Sequence, residues 1–232
     1  MLRKSLSAMA VGCLLAISIA SGCGEDNGGG GTDTDSDTFA CTNGTLEGDY
    51  SVATHEDLDA LAGYTAVNGE LDISCSTCAS LAQLACLESV GGRFDLRDAA
   101  ALTTLAGLES LATVGEDFLI FDLAISSLEG LGSLTSVGAS LWLDSNALVS
   151  LDGIENLDSI GNALMVTDND ALERIDGVSG LTSIGSVHVV GNDSLPYCDV
   201  CELFEQLGTL EGPMICEENL ADDCGTTECE CP

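Results

Sequence analysis

The chain has 232 residues, 39 acidic residues against five Lys and Arg, a formal net charge of −34, 12 cysteines, and 45% hydrophobic but only 4% aromatic residues. That length allows one large domain or two small ones. A nucleic-acid binder needs clustered Lys and Arg to displace counterions from phosphates, and a basic membrane-surface mode needs the same charges, so both classes are excluded.

Residues 1–22 read as an export signal: Arg3 and Lys4 form a charged start, and Leu6 to Ala20 is apolar and small. The stretch is too short for a spanning helix. The run Ala20-Ser21-Gly22-Cys23 resembles a bacterial lipobox, with Ala20 where leucine is usual. That resemblance implies that Cys23 is lipidated and becomes the new N-terminus. Ordinary signal-peptidase cleavage and an uncleaved anchor are the alternatives. Residues 24–38 contain no large apolar side chain and cannot bury a core, so residues 23–40 are expected to be a lipidated cysteine followed by a flexible acidic linker. The protein is therefore expected to be exported and lipid-anchored to the bacterial cell envelope, at the outer membrane or cell surface, touching the membrane through the anchor only.

Residues 41–57 form an N-terminal cap in this reading, and residues 58–196 an internal repeat. The anchors Val67, Val90, Val114, Val137, Ile160 and Ile184 are spaced by 23, 24, 23, 23 and 24 residues. Around each runs the pattern L-x-x-L-x-x-L-x-x-V-G-x-x-L-x-I. Stacking the six copies produces six apolar columns, beginning at Leu58, Leu61, Tyr64, Val67, Leu71 and Ile73. A glycine column follows the anchors (Gly91, Gly115, Gly138, Gly161, Gly185, with Asn68 in the first copy). Gly and Asn tolerate positive φ, so the chain is expected to turn there before a short strand. That strand alternates sides, with Leu71 and Ile73 inward and Asp72 outward. One rung cannot bury its apolar face alone, whereas stacked rungs build a continuous core. The fold class is a mainly β repeat solenoid, a right-handed β-helix or leucine-rich-like structure of six short-strand rungs with disulfide-capped ends.

The last three rungs read Leu141-Trp-Leu-Asp-Ser-Asn146, Leu164-Met-Val-Thr-Asp-Asn169 and Val187-His-Val-Val-Gly-Asn192. They resemble the LxLxxN core of leucine-rich repeats. The V-G-x-x insertion before the strand makes residues 58–196 look more like the receptor L domain, the leucine-rich-like β-helix of insulin- and EGF-type receptor ectodomains and of many bacterial surface lipoproteins. In the first three rungs Ser76, Ala99 and Leu123 stand where that pattern has asparagine. The resemblance implies a solenoid scaffold and does not name a ligand, because such folds host many partners.

Beyond Cys13 and Cys23, ten cysteines remain: Cys41, Cys75, Cys78 and Cys86 near one end, and Cys198, Cys201, Cys216, Cys224, Cys229 and Cys231 in a Cys-rich C-terminal cap, residues 197–232. Disulfides within each cluster are expected, two in the first and three in the second, with the pairing left open. Continuing the repeat places Cys198 and Cys201 at the first two apolar columns of a missing seventh rung, pointing inward under a terminal helix near residues 198–208. One zinc ion cannot join the two CxxC pairs across five rung steps, roughly 24 Å. A local zinc site in the C-terminal cluster and thioredoxin-like chemistry are the rival readings.

The sequence lacks HExxH, GxSxG and phosphate-cradling glycine motifs, and its two histidines, His55 and His188, have no evident nucleophile partner. The reading is non-enzymatic, without a cofactor. Calcium held by Asp144, Asp168, Asp170 and Asp193 at the strand exits is the alternative, against the turn preference of Asn and Asp. The outward strand positions offer a contact surface instead: Leu119, Phe121, Trp142, Met165, His188 and Val190, with Arg93 and Arg97 on the same face. Exposed apolar patches mark contact sites, and Trp is enriched at binding hot spots. The expected function is a tethered binding module for a protein or glycan at the cell surface. A structural acidic spacer without a specific ligand is the alternative, ahead of a metal-dependent or enzymatic protein.

Overall fold

The chain divides at Asp37, and the described residues all belong to the unit Thr38–Pro232. The computed structural model describes residues 40–208, 210 and 212–219. The leader, Cys23, the linker through residue 39, and Cys224, Cys229 and Cys231 lie outside the described residues.

The unit is mainly β, with thirteen parallel strands and two α-helices among the described residues. Most repeats supply two strands. The pairs are β1 (Gly44–Leu46) with β2 (Tyr50–Val52), β3 (Tyr64–Val67) with β4 (Leu71–Ile73), β5 (Ser89–Val90) with β6 (Phe94–Arg97), β7 (Thr113–Val114) with β8 (Phe118–Phe121), and β9 (Ser136–Val137) with β10 (Leu141–Asp144). The next two repeats each run straight through both positions as a single strand, β11 (Ser159–Thr167) and β12 (Ser183–Val190), and β13 (Met214–Glu217) closes the series. Odd-numbered strands stack from β1 to β9 and even-numbered strands from β2 to β10, and both ladders join at β11. Each turn of the chain thus crosses two parallel ladders and returns through L-x-x-L-x-x-L segments, two of which wind into 3-10 turns at Ala82–Leu84 and Asp176–Val178. This is a solenoid-like arrangement.

All the predicted apolar columns face inward: every member is buried except Tyr64 and Ile184, which are half-buried. Phe94 and Phe118 stack within one column, ring centroids 4.9 Å apart and planes 5° from parallel. A further inward column was not anticipated: Leu102, Ile125, Leu148, Leu172 and Leu195, all fully buried, with Cys78 at the head of the series.

The solenoid also extends past the expected boundaries of residues 58–196. Tyr50 and Val52 pair in register with Leu71 and Ile73, so the segment assigned to the N-terminal cap contributes a rung. At the other end β13 pairs with β12, Val189 opposite Cys216. The helical return of that last rung is α2 (Tyr197–Leu207), close to the expected terminal helix. Cys201 is buried in it beside Val200, Leu203 and Phe204, whereas Cys198 is half-buried.

The glycine column is explained differently from the sequence expectation. None of Gly91, Gly115, Gly138, Gly161 or Gly185 has a positive φ. Their role is close approach: a Cβ on Gly138 would sit 2.0 Å from the carbonyl oxygen of Gly115 in the previous rung. The left-handed position lies instead at the strand exit, occupied by Asp98, Asp122, Ser145, Asp168, Gly191 and Glu218. Asp and Asn carry such a backbone at lower cost than most residues.

Directly after these turns stands an asparagine ladder. The side chain of Asn146 accepts from Leu123 N at 3.0 Å and donates to Ile120 O at 2.8 Å. Asn169 accepts from Asn146 N and Asn192 accepts from Asn169 N, at 3.2 and 3.1 Å. Asn219 continues the series, accepting from Asn192 N at 3.2 Å and donating to Val189 O at 2.8 Å. Each amide thereby satisfies backbone groups that the left-handed turn removes from the strand ladder. Ala99 and Leu123 fill the same level with apolar bulk, while Ser76 is exposed beside the buried Cys75.

The four cysteines of the first cluster bond among themselves, as Cys41–Cys86 and Cys75–Cys78. Cys198, Cys201 and Cys216 are also disulfide-bonded. The short helix α1 (His55–Asp59) starts with a capping box, in which Asp57 N–H donates to the Thr54 hydroxyl and Thr54 N–H donates to the Asp57 carboxylate. The Thr54 hydroxyl also donates to the Asp57 carboxylate at 2.8 Å, and this bond first, with those from the Ala53 and Thr54 N–H groups, holds the Asp57 carboxyl below the usual aspartate range.

Candidate functional site

The even-numbered ladder turns one face outward, and strand register determines which side chains become neighbours there. The central outward column runs Asp72, Asp95, Leu119, Trp142, Met165, His188 and Ile215, each opposite the next. Beside it run Arg97, Phe121, Asp144, Thr167, Val190 and Glu217. Adjacent rungs are ~4.8 Å apart, close enough for side chains to touch. The structure therefore brings together Leu119, Phe121, Trp142, Met165, His188 and Val190 on consecutive rungs. Each is half-buried, and none belongs to the buried core. Phe121 and Trp142 pack at a tilt, ring centroids 6.2 Å apart. Ile215 extends the apolar surface by one rung. Sequence reasoning missed it, although Met214-Ile-Cys-Glu-Glu-Asn219 repeats the L-x-L-x-x-N spacing.

The other end of the same face is charged. Arg93 reaches Glu70 at 3.4 Å, and Arg97 lies between Asp72 at 3.3 Å and Asp95 at 3.2 Å. Both guanidinium groups are thus engaged with carboxylates of this chain. Asp95 is only 1% exposed although it occupies an outward position. Its two oxygens, with Asp72 Oδ1 and Arg93 Nε, lack a hydrogen-bond partner among the described residues. Burial is the main cause that pushes the Asp95 carboxyl above the usual aspartate range, and Arg97 opposes it.

The acids considered for calcium do not form one chelating group. Asp144 accepts hydrogen bonds from the hydroxyls of Thr167 and Ser145. Asp168 occupies a left-handed turn, and Asp168, Asp170 and Asp193 are exposed. Among the described residues no three His, Cys, Asp or Glu side chains are grouped to hold a metal ion. His55 meets Thr77 O at 2.9 Å in the N-terminal region, while His188 lies on the sheet face. Among the described residues no helix is long and apolar enough to cross a membrane.

No protein-family model, curated protein or solved structure matches this chain.

Proposed function

We propose that this protein is a non-catalytic binding module, tethered to the cell surface, that recognises a protein or glycan partner through the outward face of its even-numbered ladder. The observation that carries the reading is the run of half-buried apolar side chains centred on Trp142, contiguous over consecutive rungs and outside the core. A scaffold stiffened by stacked strands and an asparagine ladder keeps such a surface preorganised, which lowers the entropy lost on binding.

The finer architecture belongs to the same proposal: a right-handed, leucine-rich-like β-helix of the receptor L-domain kind. So does the location, an exported lipoprotein whose Cys23 carries the lipid and whose acidic linker holds the solenoid off the membrane. The lipobox-like Ala20-Ser21-Gly22-Cys23 supports the anchor, and labelled fatty acid entering wild type but not Cys23→Ser tests it.

The function is tested by capture. The immobilised protein is exposed to envelope and neighbouring-cell extracts, alongside a Trp142→Ser/Phe121→Ser variant. A partner retained by wild type and lost by the variant supports the module. Equal retention by both, or saturable retention by neither, favours an acidic spacer without a specific ligand.

A further inference from the structure

The charge around the apolar face narrows what it accepts. The three arginines among the described residues all pair with carboxylates of this same chain: Arg93 with Glu70, Arg97 with Asp72 and Asp95, Arg174 with Asp152 and Asp176. By contrast Asp117 at a strand entry, Asp144 and Glu217 on strands, and Asp122 and Asp168 at strand exits flank the apolar surface and form no ion pair among the described residues. Asp144 follows Trp142 by two residues on the same strand face and stands opposite Phe121 in register. The centre of the site therefore combines two aromatic rings with an adjacent carboxylate. A partner's ammonium or guanidinium would meet ring faces and a counter-charge there together.

We propose, resting on the sheet-face reading above, that the partner is a cationic polypeptide segment in which Lys or Arg alternates with apolar side chains. The apolar side chains cover Leu119, Trp142 and Met165, and the basic ones reach Asp144 and the flanking acids. Charge complementarity selects this occupant. A second copy of this chain brings its own net charge of −34 against the same field. A neutral glycan gains nothing from that field, and an anionic partner is repelled. A cationic segment is drawn in, with an association rate that falls as salt rises.

Trp142 is the only tryptophan in the chain, so its emission reports on the centre of the site. The full-length protein is titrated with a short Trp-free peptide of alternating lysine and leucine, with its glutamate counterpart, and with a neutral oligosaccharide. The lysine peptide is expected to shift Trp142 emission saturably, with weaker binding at higher salt. Asp144→Asn should weaken it about tenfold, and Phe121→Ser should abolish the shift while both variants keep a cooperative melt. Should Phe121→Ser fail to fold, the milder Asp144→Asn carries the comparison. Lysine-peptide binding without an emission change, equal in wild type and variants, is diffuse attraction to an acidic surface and overturns the proposal. A shift produced only by the oligosaccharide or the glutamate peptide overturns the cationic partner while leaving the face as the binding site. Emission already shielded from a collisional quencher in the free protein overturns both, since the face is then covered: by the C-terminal tail when the shielding is independent of protein concentration, by a second copy when it is not.

Discussion

The side-chain oxygen of Asn169 accepts the backbone N–H of Asn146 at 3.2 Å, one rung away, inside the solenoid. The same amide donates to Leu143 O at 2.9 Å and Thr167 O at 2.8 Å. Asn169→Ala strands buried backbone groups on both sides. It should lower stability by about 2–4 kcal/mol, since each unmade buried hydrogen bond costs about 1–3 kcal/mol. Asn156, exposed and donating to Gly132 O, is the control, and its alanine variant should lose no more than about 1 kcal/mol. Urea denaturation midpoints compare the two, and equal losses would show that the ladder carries no special weight.

Gly132 and Gly138, two of the three glycines in the rung that carries β9 and β10, differ sharply. A Cβ on Gly138 collides with backbone, 2.0 Å from Gly115 O, whereas Gly132 has open space and no positive φ. Gly138→Ala must push two rungs apart and should cost about 3 kcal/mol or more. Gly132→Ala should be neutral or stabilise by up to about 1 kcal/mol, through the unfolded chain. Thermal melts of both variants check the contrast.

Asp95 should impose a pH dependence of definite sign. Its carboxyl is raised in the folded state, chiefly by burial. The folded protein therefore holds that proton more tightly than the unfolded chain does. The stabilisation is full below the unfolded value and is lost as pH rises through the raised one. Asp95→Asn removes this titration while Arg97 keeps Asp72 as a partner. Stability of wild type relative to Asp95→Asn should fall as pH rises from the acid side towards neutral. Parallel stability curves over that range would contradict the assignment.

Cys41–Cys86 closes a loop with a sequence separation of 45 and ties the segment before the first rung to the third. A loop of that length corresponds to about 4 kcal/mol in the chain-entropy account. Cys41→Ser/Cys86→Ser should lose roughly that much, and amide exchange should accelerate first in Gly44–Leu46. Uniform acceleration over all strands would argue that the bond does not act locally.

Much of the architecture was legible because a residue's facing is a local property. Leu71, Asp72 and Ile73 alternate along one strand, and the period of 23–24 residues returns each side chain to its column. The same logic placed Leu119, Trp142 and Met165 on the outward face, since they alternate with inward neighbours that are buried. The terminal rungs were harder to read. Tyr50-Ser51-Val52 and Met214-Ile215-Cys216 carry the strand pattern, but the first lacks the leucine turns before it, and the second follows a helix that interrupts the period. The glycine column was seen while its reason was not, because the clash that selects glycine comes from a carbonyl in another rung.

The sequence by itself determined the repeat, its inward columns, the outward apolar residues and the acid excess, all of which depend on neighbours along the chain or on composition. Only the tertiary structure decided what depends on groups distant in sequence. It joined the two strand ladders through β11 and paired Cys41 with Cys86 rather than with Cys75 or Cys78. It also turned Arg93 onto Glu70 and Arg97 onto Asp72, both in the preceding rung. An arginine's reach is short, and which carboxylate it finds is settled by the rung stacked beside it.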